Sequence, residues 1–253
     1  MVCNEKVKQY NSLVDDINGC SNENECGMTL CKDCKEVNLW TYWEGGRDRL
    51  DADILVVGQD WGHIENPGKV SDVLKEVGDA TGGFGYNNMI DDPGKATNET
   101  LFKLCSIITG NQDIENDYYK LGRKCNNVFF TNYVCCYRKE NTSGKFNSTW
   151  AKNCKFYFQR LVKIIEPKVI ICLGRKTFDC VSEAAGLPRS RGAYNEVICN
   201  GAVTMTFGDV CSKVYPMAHP GLMGTLNRCP TNDKNPKRGF ELQCEDWSKI
   251  KLT

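Results

Sequence analysis

Three short motifs each contain a polar side chain that could act chemically on a small ligand. Asp60 lies in residues 58–65 (G-Q-D-W-G-H-I-E), Asn132 in residues 131–133 (T-N-Y) and His219 in residues 218–221 (A-H-P-G). A carboxylate can orient or deprotonate a water molecule, and an imidazole can donate a hydrogen bond to a developing anion. A side-chain amide has donors and an acceptor that match the hydrogen-bonding edge of another amide group.

Each of these residues also has a simpler interpretation. Asp60 could cap a turn, Asn132 could satisfy backbone groups in its loop, and His219 could face solvent without a role. The apolar pair Leu222 and Met223 follows the histidine motif. It could fill the core, or it could insert into a stack of bases.

Residues 81–86 (T-G-G-F-G-Y) place Phe84 among glycines, which argues against a regular helix or strand there. An aromatic ring in such a loop can stack on a flat ligand. It can equally anchor the loop to the core.

Several of the sixteen cysteines have spacings that suit a metal. Cys31 and Cys34 form a C-x2-C pair, which zinc, an iron–sulfur cluster or redox chemistry can use. The adjacent Cys135 and Cys136, followed by Cys154, offer third and fourth ligands. The spacing does not separate these metals from one another, or from unligated buried thiols.

Short apolar segments alternate with amphipathic ones along the chain. The pattern predicts buried strands at 52–58, 127–132, 168–174 and 213–217, helices at 70–77, 98–110, 148–165 and 175–186, and a β-like stretch at 194–208. This alternation indicates an α/β fold with three layers, in which helices cover both faces of a mostly parallel, four-stranded sheet. Ligands bind at the carboxyl ends of such strands, where the motifs of Asp60, Asn132 and His219 begin.

Length and composition limit the classes of protein to which this chain can belong. The 253 residues suit a single domain over 1–253, with a polar N-terminal segment of about 50 residues whose strong core anchors are Trp40, Tyr42 and Trp43. The 32 basic and 32 acidic side chains cancel, which argues against strong non-specific binding of nucleic acid. No apolar run approaches the roughly 20 residues of a membrane span. No secretory signal is visible, so we expect a cytoplasmic, reducing location without a disulfide scaffold.

Taken in order, the motifs resemble the uracil-DNA glycosylase superfamily, most closely its iron–sulfur branch. The similar segments are the C-x2-C pair, V-V-G-Q-D-W-G at 56–62, G-G-F-G at 82–85, T-N-Y-V-C-C-Y-R at 131–138, Cys154, P-K-V-I-I-C-L-G at 167–174 and H-P-G at 219–221. Together they extend over roughly residues 31–224.

The resemblance implies hydrolysis of the N-glycosidic bond of uracil, or of a related deaminated base, flipped out of DNA in base excision repair. It implies a monomer that acts on DNA without a membrane. The base would be held by Gly58, Gln59, Phe84 and Asn132. His219 would stabilise the leaving base, and either Asp60 or Glu65 would orient the water. The residues predicted to contact DNA are Pro220, Gly221, Leu222, Met223 and Arg228, although Arg228 could equally belong to a solvated face.

The resemblance also implies a [4Fe–4S] cluster, with zinc as the alternative, that ties the N-terminal segment to the loop after Asn132. Its implied ligands are Cys31, Cys34, Cys136 and Cys154.

The chain departs from the family at three positions. Residues 58–60 resemble the G-Q-D-P-Y-H motif of the cluster-free branch, but Trp61 and Gly62 replace its Pro and Tyr. That tyrosine excludes the methyl group of thymine, so strict specificity for uracil does not follow here. Gly221 replaces the Ser of H-P-S. Two other hypotheses remain open, a non-catalytic DNA-binding protein of the same fold and a zinc-stabilised interaction domain.

Overall fold

The computed structural model describes residues 3–20, 50–60, 94–110, 127–135 and 146–252. The strands in these ranges are β1 Ile54–Gly58, β2 Val128–Asn132, β3 Val169–Leu173, β4 Val203–Phe207 and β5 Val210–Met217. They form one sheet in the order β2-β1-β3-β5-β4. All neighbours are parallel except β4, which pairs antiparallel with β5 at the edge. The mostly parallel sheet was predicted correctly, but it has five strands in place of the predicted four.

Alternation along the strands builds two cores. In β1, Leu55 and Val57 pack into the core on one face, whereas Ile54 and Val56 pack into the core on the other. Because helices cover both faces of the sheet, the sequences of the central strands are continuously apolar. The three-layer αβα fold predicted from those runs is therefore confirmed.

The helices of the described ranges are α1 Asn4–Asn18, α2 Gly94–Thr109, α3 Ser148–Ile165, α4 Arg175–Ala184, α5 Tyr194–Cys199, α6 Leu222–Arg228 and α7 Pro236–Trp247. Buried side chains of α1, α3 and α4 belong to one core, and those of α2 and α7 to the other. The bounds predicted for α3 are confirmed, because Asn147 caps its N-terminus and Pro167 closely follows its end. None of the described helices is long and apolar enough to cross a bilayer.

The N-terminal segment contains core anchors that the sequence analysis missed. Tyr10, Leu13 and Ile17 of α1 are almost fully buried. Lys6 Nζ also donates to the backbone oxygen of Ile165, 3.2 Å away, and forms an ion pair with Glu166. Direct packing against α3 therefore attaches residues 4–18, whereas the predicted anchors Trp40, Tyr42 and Trp43 lie outside the described residues.

Other predicted elements differ in their bounds. The helix predicted at 98–110 begins four residues earlier, at Gly94, and the predicted helical cap Gly110 has a φ of +67°. The β-like stretch 194–208 divides into α5 and the edge strand β4. Helices α6 and α7 were not predicted, and the helix predicted at 70–77 lies outside the described residues.

Candidate active site

The carboxyl ends of four parallel strands meet at one edge of the sheet. Gly58 ends β1 and Asp60 follows it by two residues, Asn132 ends β2, and His219 follows β5 by two residues. The chain runs from β1 to one side of the sheet and from β3 to the other, so a topological switch point lies between these two strands. Strands β1 and β5 are separated only by β3, which sets their ends roughly 10 Å apart at about 4.8 Å per strand.

Gly58 and Asn132 are in register at the ends of β1 and β2. A Cβ on Gly58 would lie 2.1 Å from Asn132 Oδ1, so the absence of a side chain at 58 allows the amide to lie over the β1 backbone. The pairing continues past the strands, because Tyr133 N donates to Gly58 O at 2.9 Å and Val134 N donates to Gln59 O at 3.0 Å. Among the described residues, none hydrogen-bonds the Asn132 side-chain amide, which leaves it available to a ligand.

Asp60 is half-buried immediately after β1. Its Oδ1 accepts a hydrogen bond from Gln59 Nε2 at 3.2 Å. Gln59 lies in the predicted base-binding segment, and it also contacts Asp60, one of the two carboxylates predicted to orient the water.

His219 has a defined tautomer. The backbone N–H of Gly221 donates to His219 Nδ1 at 3.0 Å, so Nδ1 must be unprotonated. The neutral ring then carries its proton on Nε2. The side chain is accessible to solvent but closely surrounded by protein atoms, and this desolvation lowers the pKa of the imidazole below its usual value. His219 is therefore a neutral hydrogen-bond donor near pH 7.

Contacts from neighbouring elements fix the backbone around His219. Gly174 N donates to Met217 O at 2.7 Å, and Tyr194 Oη donates to the same carbonyl at 3.1 Å. Within α6, Gly224 packs so tightly that a Cβ there would lie 2.1 Å from His219 O. The histidine loop is thus held from β3, α5 and α6 together.

A buried polar network joins α6 to α7 beneath the loop. Gln243 Nε2 donates to Thr225 Oγ1 at 2.9 Å, and Thr225 Oγ1 in turn donates to Gly221 O at 3.2 Å. Arg228 makes two hydrogen bonds with Asp246, Nε to Oδ2 at 2.6 Å and Nη2 to Oδ1 at 3.0 Å. The pairing raises the pKa of Arg228, which stays charged.

The five residues predicted to contact DNA separate into two groups. Leu222 and Met223 begin α6 and are 63% and 68% exposed, although they looked like part of a loop in the sequence. Pro220, Gly221 and Arg228 are buried. Because its guanidinium is paired with Asp246, the geometry of Arg228 favours a structural role over the predicted contact with DNA.

Cys154 is the predicted cluster ligand that the structure describes. It lies in the second turn of α3, buried, and its sulfur accepts hydrogen bonds from the side chain and the backbone of Cys135. These hydrogen bonds lower the pKa of the Cys154 thiol. No three side chains within the described ranges form a metal site. Cys154 therefore contacts Cys135, the residue directly before the predicted ligand Cys136. Thiols are donors that suit a soft metal.

The remaining predicted site residues lie outside the described ranges. They are Cys31, Cys34, Glu65, Phe84 and Cys136.

The structure adds residues that the sequence analysis overlooked. Gly174, at the end of β3, lies between the β1 and β5 ends, and a Cβ on it would be 3.8 Å from His219 Cβ. Thr97 of α2 reaches the histidine loop, since its Oγ1 is 3.0 Å from the Cβ position of Gly221. The sequence could have indicated Gly174, because it is the glycine that ends the third predicted strand. No local pattern indicates that Thr97 lies near the site.

A comparison with family models identifies the fold. The model of the uracil DNA glycosylase superfamily matches residues 47–238, which is more than half of the chain. The chain belongs to this superfamily. The match includes all five strands of this glycosylase-superfamily sheet and the three strand ends of the site. Helix α1 precedes the matched region. A search of curated proteins finds no match to the chain.

Proposed function

We propose that the protein is a DNA glycosylase that hydrolyses the N-glycosidic bond of uracil, or of a related deaminated base, in DNA. Membership of the superfamily supports the reaction class. The observation that carries the proposal is the neutral tautomer of His219, which leaves Nε2–H as a donor at the edge where Asn132 also lies. Glycosidic cleavage leaves negative charge on the departing base, and such a donor stabilises that charge.

In this mechanism the target nucleotide leaves the duplex, because its glycosidic bond cannot be reached in the base stack. Exposed Leu222 and Met223 enter the space that it vacates. The Asn132 amide hydrogen-bonds the edge of the base, which distinguishes a deaminated base from cytosine by its donor and acceptor pattern.

The bond between C1′ of the sugar and the base nitrogen then breaks, and its electron pair leaves with the base. His219 Nε2–H donates to the oxygen that gains charge. Asp60 orients a water molecule, accepts its proton as the hydroxyl adds to C1′, and offsets the positive charge of the sugar. Glu65 is the alternative for this role.

A [4Fe–4S] cluster held by Cys31, Cys34, Cys136 and Cys154 is part of the proposal, with zinc as the alternative metal. The support is that buried Cys154 contacts Cys135, the neighbour in sequence of the proposed ligand Cys136. The cluster would tie the N-terminal segment to the loop after β2. Iron and sulfide analysis of anaerobically purified protein tests it. We expect Cys154→Ser to lose the brown absorption, and Cys180→Ser, another buried thiol, to keep it.

Base release from a duplex with one uracil, read by alkaline cleavage of the abasic site, tests the reaction. We expect His219→Ala to lower the single-turnover rate about 10²–10³-fold, the usual effect of removing one such donor. His219→Gln keeps a donor and should retain more activity than the alanine variant.

Full activity of His219→Ala would contradict the assigned role. Binding without base release by the unaltered protein, with its metal intact, would favour a non-catalytic binding protein or another lesion.

A further inference from the structure

A basic loop, residues 187–192 (L-P-R-S-R-G), is fixed to the first turns of α4. Arg175 donates from Nη1 to Gly192 O and from Nη2 to Ser190 O, both at 2.7 Å. Asp179 Oδ1 accepts from the Ser190 backbone N–H at 2.9 Å and from its hydroxyl at 2.6 Å. These four hydrogen bonds hold an exposed segment in one conformation.

The same anchors bring the basic loop beside the histidine. Arg175 directly follows Gly174, whose N–H donates to Met217 O and whose Cβ position is 3.8 Å from His219 Cβ. Tyr194, two residues after the loop, donates to the same Met217 carbonyl. The residues that flank the loop on its two sides, Gly174 next to the anchor Arg175 and Tyr194 after Gly192, therefore both contact Met217, which lies two residues before His219.

The two arginines of the basic loop differ in their partners. Both are exposed, but the Arg189 guanidinium pairs with Glu183. In the described part of the chain, no acidic side chain pairs with Arg191. The nearby Glu196 accepts a hydrogen bond from the Ala193 backbone N–H. Within the described ranges, Arg191 is thus an exposed cation without an ion-pair partner, on a loop held in place by hydrogen bonds.

We propose that the basic loop binds the backbone of the DNA strand that carries the target base, with Arg191 on a phosphate. The identity of the ligand rests on the proposed function. A guanidinium matches the geometry of phosphate oxygens, and a loop already ordered in the free protein loses little entropy on binding. In a chain with zero net charge, a local cation of this kind contributes to the association with DNA.

Two variants in the same loop test this contact. Arg191→Ala removes the unpaired cation, and Arg189→Ala is the matched control because its charge is already paired. Binding is measured by fluorescence anisotropy on a labelled duplex with one uracil and on the undamaged duplex, over a range of salt concentrations.

We expect Arg191→Ala to weaken binding to both duplexes about tenfold at low salt, as loss of a charged hydrogen bond does. The slope of log affinity against log salt should fall in magnitude by about 0.9, the effect of one lost phosphate contact. Arg191→Lys should keep most of the slope. Arg189→Ala should behave as the unaltered protein, and the melting temperatures should not change.

Equal binding by Arg191→Ala and Arg189→Ala would overturn the inference. The binding measurement does not depend on base release, so the two proposals can fail separately. An Arg191 effect without base release from any duplex contradicts the glycosylase proposal alone. Base release with unchanged binding by Arg191→Ala contradicts the loop proposal alone.

Discussion

Two glycines lie against the proposed functional residues, at opposite sides of the site, and they constrain it differently. A Cβ on Gly58 would lie 2.1 Å from a side-chain atom, Asn132 Oδ1. A Cβ on Gly224 would lie 2.1 Å from a backbone atom, His219 O. The amide can rotate away, but the carbonyl of a strand-end loop held from three elements cannot. The side of the site at the ends of β1 and β2, with Gly58 and Asn132, can therefore adjust by a side-chain rotation. The side with Gly224 and His219 is held by backbone contacts and cannot.

The largest expected effect comes from the network that fixes the His219 side. Arg228→Ala removes two hydrogen bonds from buried Asp246 and leaves it beside the exposed Lys249, 3.6 Å away; breaking such a buried pair costs about 3–5 kcal/mol. Urea unfolding should show this loss, while DNA affinity measured on folded protein changes little. Arg238→Ala is the control, because its ion pairs with Glu241 and Glu245 are exposed. If Arg228→Ala instead kept its stability but bound DNA more weakly, the result would support the DNA contact of Arg228 predicted from the sequence.

Gly224→Ala tests the backbone contact itself. The new methyl group cannot fit without moving α6 or the histidine loop, so we expect a loss of stability of at least the ~1–3 kcal/mol typical of overpacking. Base release should fall with it, because the donor is displaced. Asn227→Ala, an exposed position of α6, should affect neither. A stable and active Gly224→Ala protein would show that the two sides of the site do not differ as described.

Gly58→Ala should lower the rate of base release while changing the stability little, in contrast to Gly224→Ala. The Asn132 side chain rotates away, so stability changes by less than 1 kcal/mol while hydrogen bonds to the base are lost. Two such bonds at about 0.5–1.5 kcal/mol each correspond to roughly 5–150-fold in the rate of base release. In an Asn132→Ala background the same substitution should add little, since both act through one amide. Additive losses would show that Gly58 acts independently of Asn132.

The smallest expected effect is a pH dependence centred on His219. Desolvation lowers the pKa of its imidazole in the folded protein, so the unfolded chain binds the proton more readily. The stability contribution is complete above the unfolded pKa of about 6.5 and is lost as pH falls through the folded value. Activity that needs the neutral ring should persist below pH 6.5 and then decline. Urea midpoints and base release, followed as the pH is lowered, measure both.

His219→Gln should remove this step from the stability profile. A step of the same size in that variant would assign the pH dependence to another group.

The sequence was sufficient for the parallel strands and for the residues at their ends, but it did not separate the edge strand β4 from the helix before it. Continuous apolar runs at β1, β2 and β3 indicated strands covered on both faces, and the glycine or polar residue that closes each run indicated the edge of the sheet where the candidate site lies. The bounds of α3 also followed from local signals. Helix α1 was missed because its apolar side chains are spaced among many polar residues, and its burial depends on α3.

Residue types and their order in the chain determined the family resemblance and the identities of Asp60, Asn132 and His219. Only the tertiary structure decided the tautomer of His219, the burial of Arg228 and the exposure of Arg191. A paired and an unpaired arginine look alike in sequence, since the difference depends on whether a distant carboxylate, here Asp246, comes within hydrogen-bonding distance. The spacing of apolar residues along the sequence indicates which positions are buried. Charge pairing and hydrogen-bond direction depend on contacts between elements that only folding brings together.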